Sequence, residues 1–304
     1  MIVIVGPTAV GKSALAIRLA EELNGEIVSA DSRQIYRGMD IGTDKPSPEE
    51  RRRVPHHLID IISPDEKFTL AIYQEMAYAT IDDILARGKI PFLVGGTGQY
   101  VWAVVEGWGV PRVEPDEALR CQLYRQAEEE SPQALHDRLR QLDQKAAERI
   151  DPRNVRRVVR ALEVCLKAGQ PISRLQLKKP PPYRILIIGL TMPRWELYKR
   201  IDRRVERMIR AGLVEEVQAL IEQGYGYDLP AMSGLGYRQI CRCIRGEISL
   251  EEALQAIKKD TRRFVHQQYT WFRLDDERIR WFDVSKEHYE AIKECVLAFL
   301  KLPG

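Results

Sequence analysis

Short apolar runs alternate with amphipathic stretches over the first hundred residues, and then the pattern changes. MIVIV (1–5), EIVSA (26–30), HLIDI (57–61), IPFLVGG (90–96) and RILIIGL (184–190) are apolar segments of strand length bounded by turn residues. Runs of this kind suit strands buried on both faces of a parallel sheet. Between them, SALAIRLAEEL (13–23) sets Leu15, Ile17, Leu19 and Leu23 largely on one side of a helix, and LAIYQEMAYATIDDILARG (70–88) reads as a helix closed by Gly88. Strands alternating with helices predict an open parallel sheet with right-handed crossovers.

From about Pro111 to Pro182 the pattern is helical, polar and arginine-rich, and it stops at KKPPPY (178–183), a stiff proline punctuation. The expected class is therefore α/β: a parallel sheet flanked by helices, formed by residues 1–110 with 183–304, and an all-helical insertion over 111–182. A long amphipathic helix is predicted over 193–212, and the remainder reads as mainly helical. No internal repeat or low-complexity tail is visible.

Composition narrows the class only modestly. The 304 residues are 44% hydrophobic and 30% charged, ordinary values for a globular chain that buries a sizeable core. A net charge of +3 excludes a generic polycation, so any nucleic-acid binding has to come from local basic clusters. Cys121, Cys165, Cys241, Cys243 and Cys295 are odd in number and form no C-x-x-C pair. That pattern argues against a disulfide framework or zinc ribbon and for reduced thiols in a cytoplasmic protein. No secretory signal is expected, and no stretch approaches the ~20 apolar residues of a membrane span.

The first strand runs directly into GPTAVGKS, residues 6–13. This matches the phosphate-binding loop G-x-x-x-x-G-K-[ST] in its required strand–loop–helix context, which makes the fold P-loop NTPase-like. Gly6, Pro7, Thr8, Ala9, Val10, Gly11, Lys12 and Ser13 then form one site. Backbone amides and the helix N-terminus surround an anion, Lys12 adds a point charge, and the Ser13 hydroxyl can ligate Mg²⁺. A triphosphate and a diphosphate satisfy such a loop equally well. Loops after the other strands should face the same crevice. After the second strand, Asp31 can coordinate a metal, accept a proton or cap its own turn. After the fourth, GGTGQY (95–100) offers the Thr97 hydroxyl. His56 and His57 lack a third ligand at metal spacing and read as structural.

Three basic clusters stand out. The first carries Arg153, Arg156, Arg157 and Arg160, and the second Arg200, Arg203, Arg204 and Arg207. In the third, Arg262, Arg263 and Arg273 interleave with Phe264, Tyr269, Trp271 and Phe272, a composition suited to RNA phosphates and unstacked bases. Taken singly, each cluster is as well explained by a solvated, ion-paired face.

In order and spacing, GPTAVGKS, DSRQIYRGMDIGTDKP, VPHHLIDI, IPFLVGGTGQYV, RRVVRALEV, GLGYRQI and QQYTWFR resemble the tRNA dimethylallyltransferases, from Gly6 to about Phe282. The resemblance implies that the loop holds the diphosphate of dimethylallyl diphosphate, which leaves as the prenyl group passes to the N6 amine of the adenosine 3′-adjacent to the anticodon. It implies Lys12 and Mg²⁺ (through Ser13) as charge neutralisers, with Thr8, Arg200 and Arg204 as further diphosphate contacts. Asp31 becomes the base, and Thr97 touches the target nucleotide. Ser32, Arg33 and Gln34 contact the tRNA beside Asp31. The insertion becomes an anticodon-arm clamp through Arg120, Arg156, Arg157, Val158, Val159 and Arg160. A bacterial-type, monomeric, cytoplasmic enzyme without the zinc-finger extension of eukaryotic relatives is expected. An adenylate isopentenyltransferase, a P-loop small-molecule kinase and a noncatalytic RNA-binding module are the alternatives.

Overall fold

The computed structural model describes residues 1–286 and 289–301. In chain order, β1 (Ile2–Val5), α1 (Lys12–Glu22), β2 (Gly25–Ser29), α2 (Pro48–Arg53), β3 (His56–His57), α3 (Leu70–Ala86), β4 (Ile90–Val94) and α4 (Gly98–Glu106) come first. Then follow α5 (Glu117–Glu129), α6 (Pro132–Leu142), α7 (Gln144–Arg149), α8 (Val155–Ala168) and α9 (Ile172–Leu175). The chain closes with β5 (Leu186–Thr191), α10 (Arg194–Arg210), α11 (Leu213–Glu222), α12 (Tyr237–Ile244), α13 (Leu250–Trp271), β6 (Ile279–Asp283) and α14 (Tyr289–Lys301).

These elements form two compact units, Met1–Val104 with Pro182–Gly304, and Val105–Pro181. The first is built on a parallel six-stranded sheet ordered β3-β2-β4-β1-β5-β6. All of β1 is buried, Ile2 to Val5 at 0% exposure, as expected of a central strand covered by helices on both faces. Each such side chain contributes about 1.5–3 kcal/mol relative to an exposed one. Because every strand runs the same way, the loops after β1, β2, β4 and β5 open at one edge of the sheet.

Two strand expectations need correction. HLIDI is not a strand: β3 covers only His56–His57, and the chain leaves the ladder where Leu58 and Asp60 take φ of 61° and 58°. Left-handed backbone at non-glycine residues is incompatible with a continuing ladder. Conversely, IRWFD in the segment expected to be helical forms β6 at the sheet edge, paired with β5 from Ile187↔Ile279 to Thr191↔Asp283. Its half-buried alternation is weaker than the continuous apolar runs of the inner strands.

The second unit is helical and has its own core of Leu123, Leu135, Leu139, Val158, Leu162 and Val164. At its centre lies Glu163, 0% exposed. Its carboxylate accepts hydrogen bonds from Arg120 (2.9 and 3.0 Å), Arg160 (2.5 Å) and the Asp116 amide (2.7 Å). A buried carboxylate is tolerable only when its lone pairs are satisfied in this way.

Candidate active site

Gly6 begins the loop after β1 with φ of 143°, and a Cβ there would lie 2.5 Å from the Leu190 carbonyl oxygen. Ala9 (φ 65°) and Gly11 (φ 108°) complete a reversal that delivers the chain into α1. Successive amides are thereby directed inward, the arrangement that binds anions. The Lys12 ammonium folds across the loop, donating to the carbonyls of Gly6 (3.0 Å) and Pro7 (2.8 Å). Burial, and then the nearby Arg204, push the Lys12 pKa down to about 8, while Asp31 and Asp44 act in the opposite sense.

Arg204 and Arg200, both expected at the diphosphate, are placed differently. Arg204 donates to Thr8 Oγ1 (3.0 Å) and pairs with Asp44 (3.1 Å), which sets its guanidinium at the loop. Arg200 pairs with Glu196 one turn back (3.3 Å), and no hydrogen bond joins it to the loop among the described residues. Four residues apart, the two arginines share a face of α10, and the one-turn step along the helix axis brings only Arg204 to the loop.

Asp31 follows β2. Its Oδ1 accepts the Arg33 amide at 2.8 Å, so the local turn foreseen as one alternative does form. Among the described residues Oδ2 has no hydrogen-bond donor, which leaves one carboxylate oxygen for other work. Thr97, in the loop between β4 and α4, accepts from the Ser32 amide (3.0 Å) and donates to Ser32 Oγ (3.3 Å), tying the two loops together. Ser13 stands in the first turn of α1, a hydroxyl oxygen of the kind a hard divalent cation takes.

Two expectations for the acceptor loop change. The Gln34 amide is engaged internally: Oε1 accepts from Ser29, and Nε2 donates to the carbonyls of Thr43 and Asp44. Arg33 likewise reaches Pro230 O (2.7 Å) and Ser233 Oγ (3.4 Å), fastening the loop rather than projecting from it.

Among the arginines of the second unit, Arg156 and Arg157 are exposed and, among the described residues, make no ion pair. Arg120 and Arg160 are committed to Glu163. Val158 and Val159, expected to contact tRNA, are 0% and 1% exposed and pack in the unit's core, so their side chains offer no contact surface. The aromatic cluster also needs correction. Phe272 is buried, the Trp271 ring lies where a Cβ on Gly98 would meet it at 2.2 Å, and Tyr269 is bonded to Thr191. His57 pairs with buried Glu26 and His56 bonds the Val54 carbonyl, which are structural positions.

Sequence reasoning missed Gln268, 3% exposed on α13. It accepts the Thr8 amide at 2.8 Å and donates to Gly96 O at 3.2 Å, bridging the loops after β1 and β4. Its signal was a glutamine on the buried Thr261–Val265–Gln268 face of an amphipathic helix.

A phosphate-binding loop beside a free carboxylate oxygen, at the carboxyl edge of a parallel sheet, defines a P-loop group-transfer enzyme. The model of the IPP transferase family matches residues 34–275, and that of isopentenyl transferases matches residues 1–61. A tRNA dimethylallyltransferase from Roseiflexus sp. is 58% identical over 273 residues, covering 90% of each chain. The full-length tRNA isopentenylpyrophosphate transferase of Bacillus halodurans superposes with a TM-score of 0.73 at 42% identity, over 99% of this chain and 96% of that one. A eukaryotic dimethylallyltransferase captured acting on tRNA gives 0.81 at 26% identity, over 97% and 77%. The chain belongs to the IPP transferase family and is a prenyltransferase.

Proposed function

We propose that this enzyme transfers the dimethylallyl group of dimethylallyl diphosphate to the exocyclic N6 amine of the adenosine 3′-adjacent to the anticodon in tRNA, releasing diphosphate. One observation carries the reading: Arg204 is fixed on Thr8 of the anion-binding loop, and the turn held by Thr97 leaves one Asp31 carboxylate oxygen without a donor at the same edge of the sheet.

The donor diphosphate sits on the backbone amides of residues 9–13, since Pro7 has no N–H and the Thr8 amide is held by Gln268, with Lys12, Arg204 and the Thr8 hydroxyl around it. A Mg²⁺ ion held through Ser13 would neutralise further charge on the diphosphate. As the allylic C–O bond breaks, its electron pair leaves with the diphosphate, where preformed cations and amides stabilise the developing charge. The N6 lone pair forms the new C–N bond, and the N6 proton passes to the free oxygen of Asp31. Thr97 holds Ser32, and through it the turn that orients Asp31. The adenine has to leave a stacked loop, at a cost of a few kcal/mol that contacts elsewhere on the RNA offset. Arg156 and Arg157 on the helical unit supply phosphate contacts of that kind. Among the described residues no helix is long and apolar enough to cross a membrane. Action on tRNA is the ground on which a monomer working in the cytoplasm is proposed.

Labelled dimethylallyl diphosphate offered with tRNA, AMP or ATP in turn tests this directly. Label is expected on tRNA. Label on AMP instead, or ATP turnover without prenyl transfer, would overturn the proposal.

A further inference from the structure

Residues 40–44 join the two halves of the site although they are built of turns. The carbonyls of Thr43 and Asp44 hold the Gln34 amide, and the Asp44 carboxylate holds Arg204 against Thr8. The position of this segment is set from far along the chain. Glu216, in the first turn of α11, accepts three consecutive backbone amides: Asp40 (2.8 Å) and Ile41 (2.7 Å) on Oε2, and Gly42 (3.2 Å) on Oε1. The Tyr237 hydroxyl donates to Oε1 at 2.6 Å. Charge-assisted bonds of this kind are about twice as strong as neutral ones. The Tyr237 ring packs on the segment so closely that a Cβ on Gly42 would lie 2.4 Å from it.

We infer that Glu216 is a positioning residue for prenyl transfer: by fixing amides 40–42 it sets where Asp44 meets Arg204, and so where Arg204 meets the donor diphosphate. The identity of that anion rests on the function proposed above. The segment has other anchors, since Lys45 bonds Tyr36 O and pairs with Asp40 and Asp60, so loss of Glu216 should not unfold the protein. What it releases is the orientation of Asp44 relative to α10.

The test is a double-mutant cycle of Glu216→Gln with Asp44→Asn, read by binding of inorganic diphosphate and by KM for dimethylallyl diphosphate, with the unfolding midpoint measured alongside. The glutamine presents an NH₂ to donors that need an acceptor, so diphosphate affinity should fall about tenfold. Because both residues act through Arg204, the double variant should be little weaker than Asp44→Asn alone. Tyr237→Phe, which keeps the ring and removes one bond, should move affinity the same way by a smaller factor. Additive losses overturn the inference. So does a lowered unfolding midpoint with unchanged diphosphate affinity, and, should Glu216→Gln fail to fold, so does unchanged affinity in Tyr237→Phe. Diphosphate binding with normal coupling but no prenyl transfer to tRNA would defeat the proposed function and leave this inference standing.

Discussion

The loops of residues 6–13 and 31–44 face the same crevice, yet they are built on opposite principles. The donor loop takes its backbone shape locally, although Thr8 is also tied to the distant Gln268 and Arg204. Left-handed backbone at Ala9 and Gly11, tight packing of Gly6 on β5 and the start of α1 aim its amides, and Lys12 bonds carbonyls five and six residues away. The acceptor loop is held by residues distant in sequence: Thr97 on Ser32, Pro230 under Arg33, Glu216 on amides 40–42 and Arg204 on Asp44. A local loop tolerates variation elsewhere in the chain. A loop built from long-range contacts couples chemistry to the packing of several helices.

Asp31→Asn should produce the largest effect and separates the two loops most cleanly. Loss of the base is expected to cut kcat by about 10²–10⁴-fold while leaving the donor KM almost unchanged. An unchanged kcat would remove Asp31 as base and leave the acceptor loop without a chemical role.

Arg204→Gln comes next, because this side chain belongs to both loops. Transfer efficiency, kcat/KM for dimethylallyl diphosphate, should fall by about 10²-fold, the usual scale for losing one donor to a developing oxyanion. Arg200→Gln should cost far less, since Glu196 rather than the loop holds it. Equal losses from the two would mean that α10 serves the donor loop through Arg200 as much as through Arg204.

Charge reversal at Arg156 and Arg157 probes a third region that neither loop controls. Binding of tRNA should weaken, and the slope of log affinity against log salt should flatten by about one for each phosphate no longer neutralised. Diphosphate binding should stay level. A parallel fall in diphosphate affinity would show that these arginines do not act on the RNA alone.

The smallest expected effect is with pH and centres on Lys12 of the donor loop, whose proton Asp31 and Asp44 help to hold. The free enzyme loses the Lys12 proton as pH rises through about 8, below its ordinary value of 10.5. Diphosphate favours the ammonium, so donor affinity should decline above pH 8, with proton uptake on binding. For folding the sign is opposite: the unfolded chain holds this proton more tightly, so raising the pH from about 8 to 10.5 relieves the cost of burying the lysine. Lys12→Arg, charged throughout, should flatten the pH dependence of donor affinity.

What was legible in the sequence followed the same division. The inner strands announced themselves because full burial on both faces demands unbroken apolar runs, as in β1, β4 and β5. Gly6 to Ser13 was legible because a phosphate loop is a run of consecutive backbone conformations that few residue types adopt. Edge strands were harder: HLIDI has the composition of a strand but turns out through Leu58 and Asp60, and IRWFD is only half buried. Arginines were harder still, since Arg120 and Arg160 read from the sequence like Arg156 and Arg157, yet only the first pair meets a buried carboxylate.

By itself the sequence determined the parallel sheet, the anion-binding loop and the residue types offered to the reaction, because each depends on neighbours within a turn or a strand. Only the tertiary structure decided which side chains remain available. Gln34 is consumed by carbonyls of its own segment, Gln268 joins two loops through a bond that spans 172 residues to Gly96, and Arg204 rather than Arg200 reaches Thr8. Hydrogen bonds between distant segments depend on how helices pack on the sheet, and no local pattern along the chain records that packing.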